Sequence, residues 1–485
     1  MRSLLFLALC FIPLSLCLNP GTLKHGQKLA VTQLLASQAK QATKPTYTTE
    51  TRHFTKQLVD HFNPTDTRVW NHTYFVHKPT NVQASDVPLI IVGGEGETVD
   101  SYALWQYLVP GFLPVGFTVS HRYYQQEPAS NPTSPFNYRR DSRLLSSKQA
   151  LADMAYFIEK VVMEEYAYKK LPIILGCSYP GSLTIWMREK YPHLSVGGIA
   201  LSGPIKAFDN FHQYLEIGEQ AVKDNFPQCY PALVSDKKTM SDAAQNNPND
   251  FAKQMNLCTG TAFKDWDKLF EVGWQMVSSI MCAELGQEGQ TSDPKTLCNL
   301  FEAKQSYQAL RELLGIPEPG GACADPEAVL TRNSYSPKDY EASHWYWQKC
   351  TEFGWFKTHS TDSLFHFFPL EAYHQACEDG YSIGSNQLMA NFNATNTFYG
   401  ATDVNGLKNL LVMNGGDDPW HVPSLPPLAN TKYSGVVSKM IPKAHHCTLV
   451  EVQPGVFSSR NQIRFHSDIG VETRRHQFCS IAEIG

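Results

Sequence analysis

The segment "LPIILGCSYPGSLTIWMREKYP", residues 171–192, decides how the chain is read. An aliphatic run from Leu171 to Leu175 stops at Gly176-Cys177-Ser178-Tyr179-Pro180-Gly181, and a segment of helical composition carries on through Arg188. The run is too short for a helix and has the composition of a buried strand, while the small residues after it fit a tight turn. A serine at the hinge between strand and helix has two readings. Any such turn needs small residues, or else the turn presents a nucleophile.

Working outward, the neighbouring sequence repeats the same alternation. Upstream, Thr73 to His77, Val87 to Val92 and Phe117 to Tyr124 read as strands, the second running into Gly93-Gly94-Glu95-Gly96. Ser146-Ser147-Lys148-Gln149 is a capping-box pattern with Ser146 as N-cap. Behind it Leu151, Met154, Ala155, Ile158 and Val162 recur at helical spacing. Downstream come strands at Val196 to Leu201, Leu410 to Met413 and Val436 to Ile441. Short apolar strands alternating with helices predict an α/β fold with a parallel sheet covered on both faces.

Between Phe208 and Thr397 the alternation gives way to a helical stretch rich in cysteine and aromatic residues. The predicted organisation is therefore one α/β domain, 52–207 and 398–485, interrupted by a helical cap at 208–397. At the N-terminus, Arg2 precedes an apolar run from Leu4 to Leu16, too short to span a bilayer. Residues 1–17 read as a secretory signal peptide, and 18–51 as a flexible leader or propeptide. No membrane span is expected elsewhere.

The rest of the composition agrees with that route. Of 12 cysteines, Cys10 and Cys17 lie in the signal, and the middle region holds Cys229, Cys258, Cys282, Cys298, Cys323 and Cys350, with Cys377 soon after. In an oxidising compartment this density implies disulfides whose connectivity the sequence leaves open. Asn71-His72-Thr73 and Asn393-Ala394-Thr395 are glycosylation acceptors at Asn71 and Asn393. A formal charge of −5 over 485 residues, with no basic stripe, argues against nucleic acid as a partner. No cysteine or histidine spacing suggests a metal site.

A serine nucleophile needs a base and a carboxylate that orients it. On strand–turn–helix elbows of the Gly-x-Ser-x-Gly type these partners follow in the order Ser, Asp, His. Here the second glycine, Gly181, comes one position late. Strand Leu410 to Met413 runs into Asn414-Gly415-Gly416-Asp417-Asp418-Pro419-Trp420, and the last strand into Lys443-Ala444-His445-His446-Cys447. Both segments lie past the carboxyl ends of strands, where open α/β sheets place their sites.

These pieces resemble the serine peptidase family that contains lysosomal Pro-X carboxypeptidase, dipeptidyl peptidase II and thymus-specific serine protease. The similarity runs from about Leu58 to Cys447. It includes Asp60-His61-Phe62-Asn63-Pro64, His121-Arg122-Tyr123-Tyr124, Gln149-Ala150-Leu151-Ala152-Asp153, Ser178-Tyr179-Pro180-Gly181, Cys350-Thr351-Glu352-Phe353-Gly354-Trp355, Asp418-Pro419-Trp420-His421 and His446-Cys447. Tyr-Pro-Gly and His-Cys bring it nearest the thymus-specific branch. The resemblance implies an α/β-hydrolase fold with Ser178 as nucleophile, Asp418 as orienting carboxylate and His446 as base. Asp417 would be a neighbouring loop charge, and His445 the alternative base within the doublet.

The oxyanion hole is expected to use the backbone N–H of Tyr179, with a second donor from the Gly93–Gly96 loop, taken as Gly94. Trp420 would line a pocket for a proline ring, or else simply pack in the core. The implied activity is that of a secreted or lysosomal/vacuolar exopeptidase acting on peptides after proline near a terminus, with no cofactor. Carboxypeptidase and dipeptidyl peptidase action both stay open, as does a homodimer. Relatives commonly have Gly at the positions of Cys177 and Gln125 and Glu at that of Ser120, and their Asp after the catalytic His is missing near Thr448. Cys177 raises a thiol nucleophile as an alternative. The other departures leave room for a carboxylesterase or lipase on the same fold, or for a non-catalytic peptide binder.

Overall fold

The computed structural model describes residues 47–80, 83–95, 112–124, 142–225, 344–361, 369–403, 405–428 and 435–447, with shorter pieces between 227 and 324. Residues 1–46, read above as signal peptide and leader, lie outside the described residues, as do Gly96, Gln125, Cys229, Cys282, Cys298 and Thr448.

The strands are β1 (Tyr47–Leu58), β2 (Val69–Pro79), β3 (Ser85–Val92), β4 (Pro114–Val119), β5 (Ile173–Cys177), β6 (Gly197–Leu201), β7 (Phe208–Asn210), β8 (Gly354–Phe356), β9 (Leu410–Gly415) and β10 (Val436–Ile441). Eight of them form one sheet in the order β1-β2-β4-β3-β5-β6-β9-β10. β2 pairs antiparallel with β1 and with β4. From β4 through β3, β5, β6 and β9 to β10 every pair is parallel.

Successive side chains on these strands enter opposite cores, as the two-residue period of a strand requires. Ile90, Val92, Ile174, Ala200, Leu410 and Val412 pack in one cluster with residues of the helices α1 (Ser147–Phe157) and α2 (Tyr179–Lys190). Leu89, Ile91, Ile173, Leu175, Ile199, Leu201, Leu411 and Met413 pack in the other. A parallel sheet buried on both faces explains why β3, β5, β6 and β9 read as continuous apolar runs. With an elbow between β5 and α2, this is the α/β-hydrolase arrangement.

The helix start at Ser146 behaves as its sequence predicts, because its hydroxyl accepts the Gln149 N–H at 3.3 Å. The reciprocal half of the box is absent: the Gln149 side chain donates to Asp60 Oδ1 at 2.6 Å instead. α1 then widens into a π-helical stretch at Ile158–Glu165, still carrying Ile158 and Val162 into the core.

Between β6 and β9 the described elements include α3 (Gln213–Asn225), α4 (Pro248–Gln254), α5 (His344–Gln348), α6 (Leu370–Tyr381) and α7 (Ser385–Tyr399), together with the short parallel pair β7/β8. Disulfides Cys258–Cys323 and Cys350–Cys377 lie in this stretch.

Several boundaries differ from the sequence reading, β2, β3, β6 and β9 by one to four residues at an end. β5 begins at Ile173 rather than Leu171. β4 ends at Val119, and His121 to Tyr124 belong to a turn that buries His121 and Arg122. β1 begins at Tyr47, inside the stretch read as leader. It is an edge strand with most side chains exposed, so it carries no apolar alternation to detect.

Candidate active site

The turn after β5 is held by close backbone approach. Ser178 has φ 62° and ψ −132°, a conformation that costs a non-glycine residue energy and persists only when its surroundings impose it. Its N–H donates to Leu201 O on β6 at 2.9 Å. A Cβ on Gly176 would overlap the Pro180 carbonyl, and one on Gly181 would lie 2.7 Å from Leu201 O. Gly181, one position late by the usual pattern, is thus the residue that lets α2 close on β6. Pro180, in the usual glycine position, has its ring against Gly94, where a Cβ would lie 2.6 Å from Pro180 Cγ. That packing brings the loop after β3 over the elbow. Tyr179 is the first residue of α2, so its N–H has no partner within the helix.

At the end of β9, Asp418 is buried and caps the short helical turn Pro419–His421, accepting the Trp420 N–H at 3.0 Å. His446 Nδ1 lies 2.9 Å from Asp418 Oδ2. A carboxylate can only accept, so this contact puts the imidazole proton on Nδ1 and the lone pair on Nε2. Burial opposes the charge on Asp418. The His446 imidazole, with the Ser202 hydroxyl and the Trp420 N–H, outweighs that and holds the carboxyl below its ordinary range. Asp417 faces elsewhere: its Oδ2 accepts from Asn225 Nδ2 at 2.8 Å. The two loops interlock, since Asp417 N–H donates to Ala444 O at 3.0 Å and a Cβ on Gly415 would overlap the same carbonyl.

Two features were not anticipated from the sequence. Cys177 is bonded to Cys447, with 5.7 Å between their Cα atoms and 270 residues between them in sequence. A sulfur in a disulfide is neither a thiolate nucleophile nor a thiolate ligand, so the bridged Cys177 does not supply the alternative nucleophile. The two sulfurs and a His446 ring nitrogen lie within 4.8 Å of one another, which brings His446 to the elbow that carries Ser178. The second feature is Ser202, at the end of β6, whose hydroxyl accepts the Cys447 N–H at 3.1 Å and also bonds Asp418. A serine in an apolar strand end gives no signal by itself. Ser178 is also more enclosed than a bare elbow suggests, at 6% exposure.

Trp420 is half-buried in an aromatic wall, with ring centroids 5.4 Å from Phe211, 5.7 Å from Tyr214 and Trp355, and 6.3 Å from His446. Lys357 Nζ lies 5.4 Å from the same ring.

The upstream motifs make a buried hub rather than a site. Arg122 forks onto Asp153, with Nε 2.6 Å from Oδ2 and Nη2 2.7 Å from Oδ1, and its Nη1 donates to the Val59 and Leu144 carbonyls. His61 Nε2 adds a contact of 2.8 Å to Asp153 Oδ1. Burial pushes against the Asp153 charge, but Arg122 and His61 prevail and bring its pKa to about 2. Glu352 likewise receives the Ser147 N–H and hydroxyl at the start of α1.

The family model for serine carboxypeptidase S28 matches residues 57–455. The chain belongs to that family. It is a serine-type peptidase. Thymus-specific serine protease of Mus musculus is 26% identical over 423 residues, covering 81% of this chain and 81% of that protein. Lysosomal Pro-X carboxypeptidase of Mus musculus is 24% identical over 405 residues, covering 75% and 77% respectively. Among solved structures, a peroxisomal α/β-hydrolase of Saccharomyces cerevisiae aligns over 83% of this chain and 84% of its own, at 10% identity and a TM-score of 0.31. That is a distant likeness from which nothing about chemistry follows. No helix among the described residues of this S28 peptidase is long and apolar enough to cross a membrane.

Proposed function

We propose that this S28 peptidase is an exopeptidase of the secretory route that cleaves after proline near a peptide terminus, using Ser178, His446 and Asp418. The observation that carries the reading is the buried 2.9 Å contact between His446 Nδ1 and Asp418, on a loop bridged to the residue before Ser178. In this scheme His446 Nε2 takes the Ser178 proton as Oγ attacks the scissile carbonyl, and later returns it to the leaving amine. Asp418 keeps the proton on Nδ1 and stabilises the imidazolium that forms.

The developing oxyanion would be met by the N–H groups of Tyr179 and Gly94, a pairing supported by the packing of Gly94 against Pro180, the residue after Tyr179. Trp420, half-buried beside His446 and the aromatic wall, would supply the ring against which a proline packs. The apolar run from Leu4 to Leu16, within the signal read at residues 1–17, supports entry to the secretory route, with a lysosomal or extracellular destination. Asn71 and Asn393 are both exposed, as glycan acceptors must be.

Digestion of a proline-containing peptide library, read by mass, tests the reading. Products ending in proline with one C-terminal residue released indicate a carboxypeptidase, and release of N-terminal X-Pro dipeptides indicates a dipeptidyl peptidase. Cleavage of acyl esters with no peptide turned over would refute the proposal.

A further inference from the structure

We infer that the Cys177–Cys447 disulfide is a positioning bridge that sets the distance between the nucleophile and its base. The inference rests on the assignment of Ser178 and His446 given above. Its ground is topological. Cys177 is the last residue of β5 and directly precedes Ser178; Cys447 directly follows His446. In the sheet, β6 and β9 stand between β5 and β10. The loop that leaves β10 at Ile441 therefore starts three strand spacings, about 14 Å, from the strand that ends at the elbow.

Residues 442–447 must cross that gap. Along the way the loop is fastened to the ends of β9 and β6, through Asp417 N–H to Ala444 O, His446 to Asp418 and Cys447 N–H to the Ser202 hydroxyl. None of these contacts reaches β5. Among the described residues the bridge is the covalent tie that does. The backbone is held away from its easy conformations at one end of the tie and directly beside the other, with φ 56° at Cys447 and 62° at Ser178, the residue after Cys177. Without the bridge, the His446 loop keeps its partners on β6 and β9 but loses its fixed reach to the elbow.

The pocket wall at Trp420, Phe211 and Tyr214 does not involve either cysteine. Loss of the bridge should therefore fall on turnover and leave substrate binding largely intact. A misplacement of about 1 Å between reacting groups can cost ~100-fold in rate.

The test compares the full-length enzyme with the double variant Cys177→Ala/Cys447→Ala and, as a control for loss of any bridge, Cys258→Ala/Cys323→Ala. A fluorophosphonate probe, followed by peptide mapping, reports the reactivity of Ser178; steady-state kinetics on a proline-containing peptide separate kcat from KM. The bridge account expects kcat and the labelling rate of the first variant to fall ~100-fold, with KM within ~3-fold of wild type. The control should keep its kcat. Equal losses in both variants, or an undiminished kcat in the first, overturns the inference. A wild type that takes no label at Ser178 overturns the underlying assignment as well, so the two failures are told apart.

If the first variant does not fold, the native enzyme is titrated with tris(2-carboxyethyl)phosphine. The bridge then takes up two electrons and two protons to give two thiols, while the phosphine becomes its oxide with oxygen from water. Turnover, measured before thiols are alkylated for mass analysis, should fall in proportion to the fraction of Cys177 and Cys447 found reduced. Full turnover with those two thiols free would overturn the inference equally.

Discussion

Replacing Asp418 by asparagine should remove nearly all turnover while leaving the fold in place. The wild-type carboxylate accepts from three donors: the Trp420 N–H at Oδ1, His446 Nδ1 at Oδ2, and the Ser202 hydroxyl. The Trp420 N–H is a fixed backbone donor, so in Asp418→Asn the amide oxygen takes the place of Oδ1. The amide NH2 then faces His446 Nδ1 and can only donate. Nδ1 must become the acceptor and the ring proton moves to Nε2, where it blocks uptake of the serine proton. A wrong tautomer of this kind costs ~10⁴-fold in kcat, about 5 kcal/mol of barrier. Asp417→Asn is the matched control. Its carboxylate only receives Asn225 Nδ2 at 2.8 Å on a half-buried face. Its loss should change kcat by less than ~3-fold, as for other peripheral charges. Kinetics on a proline-containing peptide, with circular dichroism to verify folding, decide the matter. A larger loss in Asp417→Asn, or a fall below tenfold in Asp418→Asn, would refute the tautomer argument.

The same geometry separates the histidine doublet: His446→Ala should abolish turnover and His445→Ala leave most of it, because His446 Nδ1 lies 2.9 Å from Asp418 Oδ2. Gly94→Ala puts a Cβ 2.6 Å from Pro180 Cγ and should push the loop off the elbow, lowering kcat ~100-fold with KM little changed if the Gly94 N–H is an oxyanion donor; an unchanged kcat would remove Gly94 from the hole. Asp153 has its pKa depressed to about 2 in the folded chain, so its stabilisation is present above the ordinary aspartate pKa and is lost as pH falls toward 2. The shift corresponds to about 2 kcal/mol. Asp153→Asn should destabilise by ~3 kcal/mol, since it leaves Arg122 buried without its counter-charge. It should also flatten the acid side of the stability profile by about one proton. Chemical denaturation from pH 5 to pH 2 reads both effects.

The α/β class was legible because parallel strands buried on two faces are written as uninterrupted aliphatic runs, as in Ile173–Leu175 and Leu410–Met413. The meeting of Asp418 with His446 was legible for a related reason: both follow strand ends, and strand ends on one edge of a parallel sheet converge. Choosing Asp418 over Asp417 and His446 over His445 needed the resemblance, because adjacent residues of the same type carry no distinguishing pattern. Physical reasons account for what stayed hidden. β1 is an exposed edge strand, so its pairing to β2 leaves no apolar trace. The Cys177–Cys447 bridge joins residues 270 apart, a distance over which sequence spacing says nothing. Reading Cys177 as a rival nucleophile followed from seeing it alone. Ser202 acts through a single hydroxyl at the end of a strand, and the Arg122–Asp153 hub closes only when four separated segments have folded.

The most direct test of the central claim is where a fluorophosphonate reacts on the native, disulfide-intact enzyme. One covalent adduct is expected, mapped to Ser178, absent from Ser178→Ala and strongly slowed in His446→Ala. An adduct on any other residue, or undiminished labelling of Ser178→Ala, would contradict it.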